Sequence, residues 1–150
     1  MWRDARSNDD EIIIEMCREL NREDPGPHLV PDSHMERTLA ALRAEKTRGK
    51  AVILELDNKV EGYALLISFW SNELGGEVCN IDEFYVRASS RGLGHASELV
   101  ESLISGTPLW AQRPAAIELE VTPQNSKARA LYSKLGFEIA TNAHMQRRLP

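Results

Sequence analysis

Apolar positions along the chain change period twice. From residue 8 to about 22, Ile13, Met16, Cys17 and Leu20 recur at helical spacing behind the capping candidate Asn8, which predicts a first amphipathic helix. A Pro-rich connection, EDPGPHLVPDS over 23–33, follows, and Met35, Leu39 and Leu42 then mark a second helix. The middle of the chain takes a strand period: AVILELD, VEGYALLISFW and EVCNIDEFYV are apolar or alternating runs split by the turns DNK and NELGG, and predict a three-stranded antiparallel meander. Helical spacing returns over 92–105, with Ala96, Leu99, Val100 and Leu103 on one face. After Pro114, IELEV predicts another strand, NSKARALYSKLGF a short helix stopped by Gly136, and FEIA with HMQRRL a closing hairpin. Helices interleaved with a mostly meandering sheet give an α/β or α+β class with a mixed sheet. No repeat or linker-like composition shift divides residues 1–150, so one domain is expected.

Composition narrows the function classes. With no apolar run approaching ~18 residues, a membrane span is not expected. The start, MWRDARSNDD, lacks an apolar targeting region, so a cytoplasmic location is expected. A net charge of −5 argues against a nucleic-acid partner and favours cationic ones. Cys17 and Cys79 have no CxxC spacing and His28 and His34 no metal-ligand spacing, so reduced thiols and no metal are expected.

The stretch RGLGHA, 91–96, carries the chemistry. Gly92 and Gly94 precede a predicted helix, Ala96 is small in its first turn, and Arg91 adds a fixed cation. Unpaired N–H groups at a helix start bind anions, and glycine lets an anion approach the amides. The stretch is neither GxGxxG nor GxxxxGK[ST]. Two readings stand on these residues alone: a pyrophosphate cradle, or a turn using glycine only for backbone freedom.

With its flanks, IDEFYVRASSRGLGHASELVESLI resembles the acetyl-CoA signature [QR]xxGx[GA] of the GNAT family of N-acetyltransferases, met by Arg91, Gly94 and Ala96. VTPQNSKARALYSKLGF resembles the family's NxxAxxxYxxxGF at Asn125, Ala128, Tyr132, Gly136 and Phe137, and WRDARSNDDEII is similar to its first strand and helix start. Two positions depart: Ala88 replaces a usual proline, and His95 a usual β-branched residue. The resemblance implies a mixed, mostly antiparallel sheet of six to seven strands with about four helices, strands four and five splaying apart around the pantetheine arm of acetyl-CoA. It implies contacts from the strand-four backbone at Tyr85, Val86 and Arg87, and from the loop and helix start at Arg91, Gly92, Leu93, Gly94, His95, Ala96 and Ser97. Asn125 and Tyr132 join this set, Asn125 also being explained by helix capping alone.

The implied reaction is attack by a neutral amine on the thioester carbonyl. A lysine-like amine of pKa ~10.4 costs roughly 4.6 kcal/mol to deprotonate at pH 7, so a base helps. Strand alternation in IDEFYV groups Ile81, Glu83 and Tyr85 on one face and Asp82, Phe84 and Val86 on the other. Glu83 is the preferred base or amine-binding acid, Glu120 and a water the alternatives, and an ordinary strand carboxylate the plain reading. Tyr132 is the family's usual general acid toward the leaving thiol; an amphipathic core tyrosine is its plain alternative. Phe69, Trp70, Glu73, Glu83 and His28 fall on the expected acceptor side. The acceptor classes left open are a polyamine-like or aminoglycoside-like small molecule and a peptide amine, with a homodimer compatible. A longer acyl chain, and a catalytically weak acetyl-CoA-binding sensor or interaction module, are the competing expectations.

Overall fold

The computed structural model describes residues 1–106 and 109–150. In chain order it contains β1 (Trp2–Asp4), α1 (Asp10–Glu23), α2 (Asp32–Ala44), β2 (Gly49–Leu56), β3 (Lys59–Ser71), β4 (Gly76–Val86), α3 (His95–Ser105), β5 (Ala116–Leu119) and α4 (Ser126–Lys134). The strands form one five-stranded sheet in the order β1-β2-β3-β4-β5. The first three pairings are antiparallel and β4–β5 is parallel, giving the mixed sheet the sequence predicts. Asp57 and Asn58 take φ of 49° and 61° in the β2–β3 turn, the left-handed pair that a two-residue hairpin loop requires.

Each face of the sheet carries its own core. Ile13, Met16 and Cys17 of α1 and Met35, Leu39 and Leu42 of α2 pack on Ile53, Tyr63, Leu65 and Tyr85. On the other face Leu99 and Leu103 of α3 pack with Trp2, Val52, Leu54, Leu66, Cys79, Ile81 and Val86. Both faces being covered explains why the central strands read as nearly continuous apolar runs.

Two expectations change. The sheet has five strands rather than six to seven, and residues 137–150 form no hairpin; Ile139, Met145 and Leu149 there are exposed. β5, the last strand of the sheet, is only four residues long and offers a further strand little edge to pair with. Strict alternation also fails in β4. Leu65 pairs with Glu83 and Leu66 with Ile81, so Asp82 is an extra residue, a β-bulge. Cys79 and Ile81 face α3, and after the bulge Phe84 and Val86 face it too, while Tyr85 packs toward α1 and α2. Ile81 therefore does not share a face with Glu83, although Glu83 does lie opposite Phe84 and Val86.

Candidate active site

Where the short β5 ends, β4 runs on alone, and the gap beside it is the candidate cleft. The parallel pairing runs from Val78↔Ala116 to Ile81↔Leu119 and stops, whereas β4 continues to Val86. From Asp82 to Val86 the β4 edge facing β5 has no strand partner, so its backbone groups, apart from the Val86 carbonyl engaged by Arg91, are available to an extended ligand. This is the splay that the resemblance implies.

At its far end this edge runs into the glycine loop. Gly92 and Gly94 have φ of 78° and 88°, a region that side-chain-bearing residues reach only with strain. A Cβ built on either glycine meets nothing within 4 Å, so the protein leaves the space above the loop open. Gly94 is the N-cap of α3, and the helix amides begin directly behind it. The first helical residue, His95, carries the one buried side-chain polar atom among the described residues that lacks a hydrogen-bond partner, Nε2. An open cradle of amides at the start of a helix fits a phosphate-bearing ligand; the buried His95 Nε2 lies away from solvent and adds nothing to it. Leu93 is 69% exposed, so its side chain contributes nothing to the core. Ala96 and Ser97 are half-buried in the first turn.

The loop is anchored from below. Arg87 N–H donates to the Glu61 carbonyl at 2.8 Å, and Ser90 Oγ donates to the Glu61 carboxylate at 3.1 Å. Arg91 donates through Nε to the Val86 carbonyl at 2.6 Å and through Nη2 to Glu23 at 2.7 Å, with its guanidinium 5.3 Å from the centre of the Tyr85 ring. Arg87 reaches Glu15 and Glu19, both at 2.9 Å, and the Tyr85 hydroxyl donates to Glu19 and Glu23 at 3.1 and 2.9 Å. Glu15, Glu19 and Glu23, at four-residue spacing on one side of α1, thus form a ladder against the end of β4. Arg87 and the Tyr85 hydroxyl hold the Glu19 carboxyl below its usual range, against the opposing effect of burial. These acids were not singled out in the sequence; their helical spacing was the available signal.

Glu83 points beneath α1. The Tyr63 hydroxyl, on a fully buried side chain, donates to Glu83 Oε2 at 2.7 Å. Burial pushes the Glu83 carboxyl up, the Tyr63 hydrogen bond pulls it down, and the charge of Asp82 pushes it up again, for a net rise. Burial, helped by the nearby Glu83 charge, raises the Cys17 thiol to about 11, and burial raises that of Cys79 to about 12; both are free, buried and protonated at neutral pH. Among the described residues no group of three or more His, Cys, Asp or Glu side chains is placed to hold a metal ion. Glu120 follows the end of β5, exposed; partial desolvation of the Asp82 carboxyl, followed by the Glu120 charge, raises its pKa.

On α4, Tyr132 is half-buried with its ring 5.8 Å from that of Phe137, edge to face. Its hydroxyl makes no hydrogen bond to another described residue, and burial followed by the charge of Asp24 raises its pKa. Asn125 caps α4 by accepting from Ala128 N–H at 3.0 Å and donates to Asp24 at 2.8 Å, so both ends of its side chain are engaged within the protein. The expected acceptor residues are not gathered in one place. Phe69 and Trp70 are 43% and 72% exposed and Glu73 is exposed in the β3–β4 turn. Trp70 pairs with Glu77, six residues before Glu83 and so roughly 20 Å away along the strand at ~3.3 Å per residue. His28 is exposed on the α1–α2 connection.

A mixed sheet whose parallel β4–β5 pair splays beside a glycine-rich helix start is the arrangement of an acyl-CoA-dependent transferase. The chain belongs to the acetyltransferase (GNAT) family, whose model matches residues 13–137. A possible acetyltransferase from Clostridium difficile 630 is similar to it with a TM-score of 0.79 and 21% identity, over 100% of this chain and 98% of that one. The ribosomal-protein-alanine N-acetyltransferase from Brucella melitensis biovar Abortus 2308 has a TM-score of 0.73 at 15% identity, over 99% of both chains. A predicted acetyltransferase from Clostridium acetobutylicum, solved with acetyl-CoA, has a TM-score of 0.72 at 20% identity, over 98% of this chain and 95% of that one. No curated protein matches the sequence. At these identities the structures establish a shared fold. Among the described residues no helix is long and apolar enough to cross a membrane.

Proposed function

We propose that the protein transfers the acetyl group of acetyl-CoA to a primary amine by direct attack in a ternary complex. The observation that carries this reading is the unpaired β4 edge from Asp82 to Val86 running into the open cradle at Gly92 and Gly94. The edge would hold the pantetheine arm, and the amides from Leu93 to Ser97 the pyrophosphate. The family match and the neighbour solved with acetyl-CoA support the choice of cosubstrate.

Glu83 takes the proton of the attacking amine, directly or through a water, and its raised pKa makes it a better acceptor than an exposed carboxylate. The amine nitrogen bonds to the thioester carbon, the carbon–sulfur bond breaks, and Tyr132 donates its hydroxyl proton to the departing sulfur. A raised pKa keeps that proton in place through neutral pH. In water the transfer from tyrosine, near 10, to a thiolate, near 8.5, is uphill by about 2 kcal/mol, and a dry site narrows the gap by penalising the thiolate. The acceptor is assigned as a cationic small amine, polyamine-like or aminoglycoside-like, or a peptide amine, on the strength of the net charge of −5.

The test is release of free thiol from acetyl-CoA with a panel of such amines, using the parent protein and Tyr132→Phe. Turnover by the parent, slowed about a hundredfold in the variant with acetyl-CoA binding within about twofold, is the expected result. Tight acetyl-CoA binding without turnover on any amine would make the protein a sensor instead, and absence of acetyl-CoA binding would overturn the cradle.

A further inference from the structure

We propose that Asp24 is a positioning residue, which docks the arm formed by the β5–α4 connection and α4 onto the end of α1 and so fixes Tyr132 over the cleft. The role rests on the reading of Tyr132 as the general acid.

Helix α4 has no buried residue, and the Tyr132 ring packs on Phe137 of its own segment. Core burial therefore does little to hold this arm. The pairing of β5 with β4 ends at Leu119, before the arm begins. Among the described residues, the side-chain hydrogen bonds that join the arm to the rest of the fold run to one carboxylate. Asp24 accepts from Thr122 Oγ1 at 2.7 Å through one oxygen and from Asn125 Nδ2 at 2.8 Å through the other. Asn125 in turn caps α4 through Ala128 N–H, so the bonds run without a gap from α1 to the helix start. Tyr132 follows Asn125 by seven residues, two helical turns, and its position is set by how that cap is held.

Local preference does not explain an acid at position 24. Asp24 is the C-cap of α1, where the exposed carbonyls disfavour a carboxylate and a cation is the usual occupant. The tether to Thr122 and Asn125 supplies the compensation. The preceding residue does the matching work on the opposite wall, Glu23 holding Arg91 and the Tyr85 hydroxyl. Consecutive residues at one helix end thus grip both sides of the cleft, and α1 sets its opening.

Asp24→Asn keeps size and shape but removes the charge from both bonds: the amide nitrogen either opposes that of Asn125 or turns to Thr122, whose hydroxyl must then reverse and accept. Adding Asn125→Asp restores a donor facing an acceptor, with the aspartate still able to cap α4. Hydrogen exchange over 126–134 is expected to quicken at least tenfold in the single variant and to return to the parent rate in the double one, with β2 and β3 unchanged. With an amine found by the thiol-release panel, kcat is expected to fall about tenfold in Asp24→Asn at a KM for acetyl-CoA within about twofold. Unchanged exchange in Asp24→Asn, or exchange in the double variant as fast as in the single one, would overturn the proposal. If the parent releases no thiol with any amine, the acetyltransfer reading fails by itself, and the exchange rates still decide whether Asp24 docks the arm.

Discussion

Replacing Gly94 by alanine separates the two readings left by RGLGHA, because the strain and the ligand clash it introduces are independent. The residue has φ of 88°, and an added Cβ touches no protein atom within 4 Å, so the folded protein feels only the backbone strain. That strain is about 1–2 kcal/mol, which for a domain of this size lowers Tm by roughly 2–8 °C. Gly75, in the β3–β4 turn far from the loop, has φ of 65° and equally open surroundings, and its replacement carries the lower end of the same strain. A phosphate held on the α3 amides would lie where the new methyl group projects. Loss of one charge-assisted hydrogen bond, worth about 1.5–3 kcal/mol, weakens binding roughly ten- to a hundredfold. Titration calorimetry with acetyl-CoA should therefore show Gly94→Ala weakened by about that factor and Gly75→Ala within about twofold of the parent, while melting curves drop in both. If the two variants melt lower but bind acetyl-CoA equally well, the loop only turns the chain, and the phosphate site lies elsewhere.

Two further perturbations read Glu83. Tyr63→Phe removes the hydroxyl that lowers its pKa, so the acidic limb of the kcat–pH profile is expected to shift to higher pH; an unmoved limb would exclude Glu83 as the base. Glu83→Gln changes the pH dependence of stability. The folded carboxyl lies above its ordinary value of 4.5, so the native state binds the proton more tightly and the parent loses stability as pH rises from about 4.5 through the folded value. Denaturant titrations should show the glutamine variant gaining on the parent across that window and holding a constant lead above it, whereas parallel curves would mean that Glu83 is not buried as described.

Most of the elements were legible because long periodic segments carry their own evidence. The helical rows Ile13–Met16–Cys17 and Leu99–Leu103 both face the sheet as read, and the Asp57–Asn58 turn forms where the sequence puts it. The bulge at Asp82 was not legible. In IDEFYV, Ile81 and Tyr85 are apolar on one parity and Phe84 and Val86 on the other, a pattern that a strand covered on both faces produces with or without an extra residue. Only the register against β3 shows where the parity shifts. The closing hairpin failed for a different reason. FEIA and HMQRRL have strand-like composition, but a strand also needs an edge, and the length of β5 is a property of pairing that neither segment encodes.

The acids at the end of α1 show how a functional signal can hide in a rule broken locally. Glu23 in the last turn and Asp24 at the C-cap each place a negative charge where the helix carbonyls already carry one, at a cost of about 0.3–1 kcal/mol apiece. Read one helix at a time, they are a local inconsistency, and such inconsistencies concentrate where tertiary contacts use them. Here the charges answer groups far along the chain: Arg91 and the Tyr85 hydroxyl for one, Thr122 and Asn125 for the other. Arg91, Tyr85 and Asn125 belong to the segments that the acetyl-CoA resemblance had already singled out. The end of α1 thus meets the glycine loop through Arg91 and the arm bearing Tyr132 through Asp24, and it leads directly into the α1–α2 connection on the expected acceptor side. On the function proposed above, a change in charge at residues 23 and 24 would act on Arg91 beside the glycine loop and on the arm bearing Tyr132 together, which makes this helix end the place where the two would be coupled.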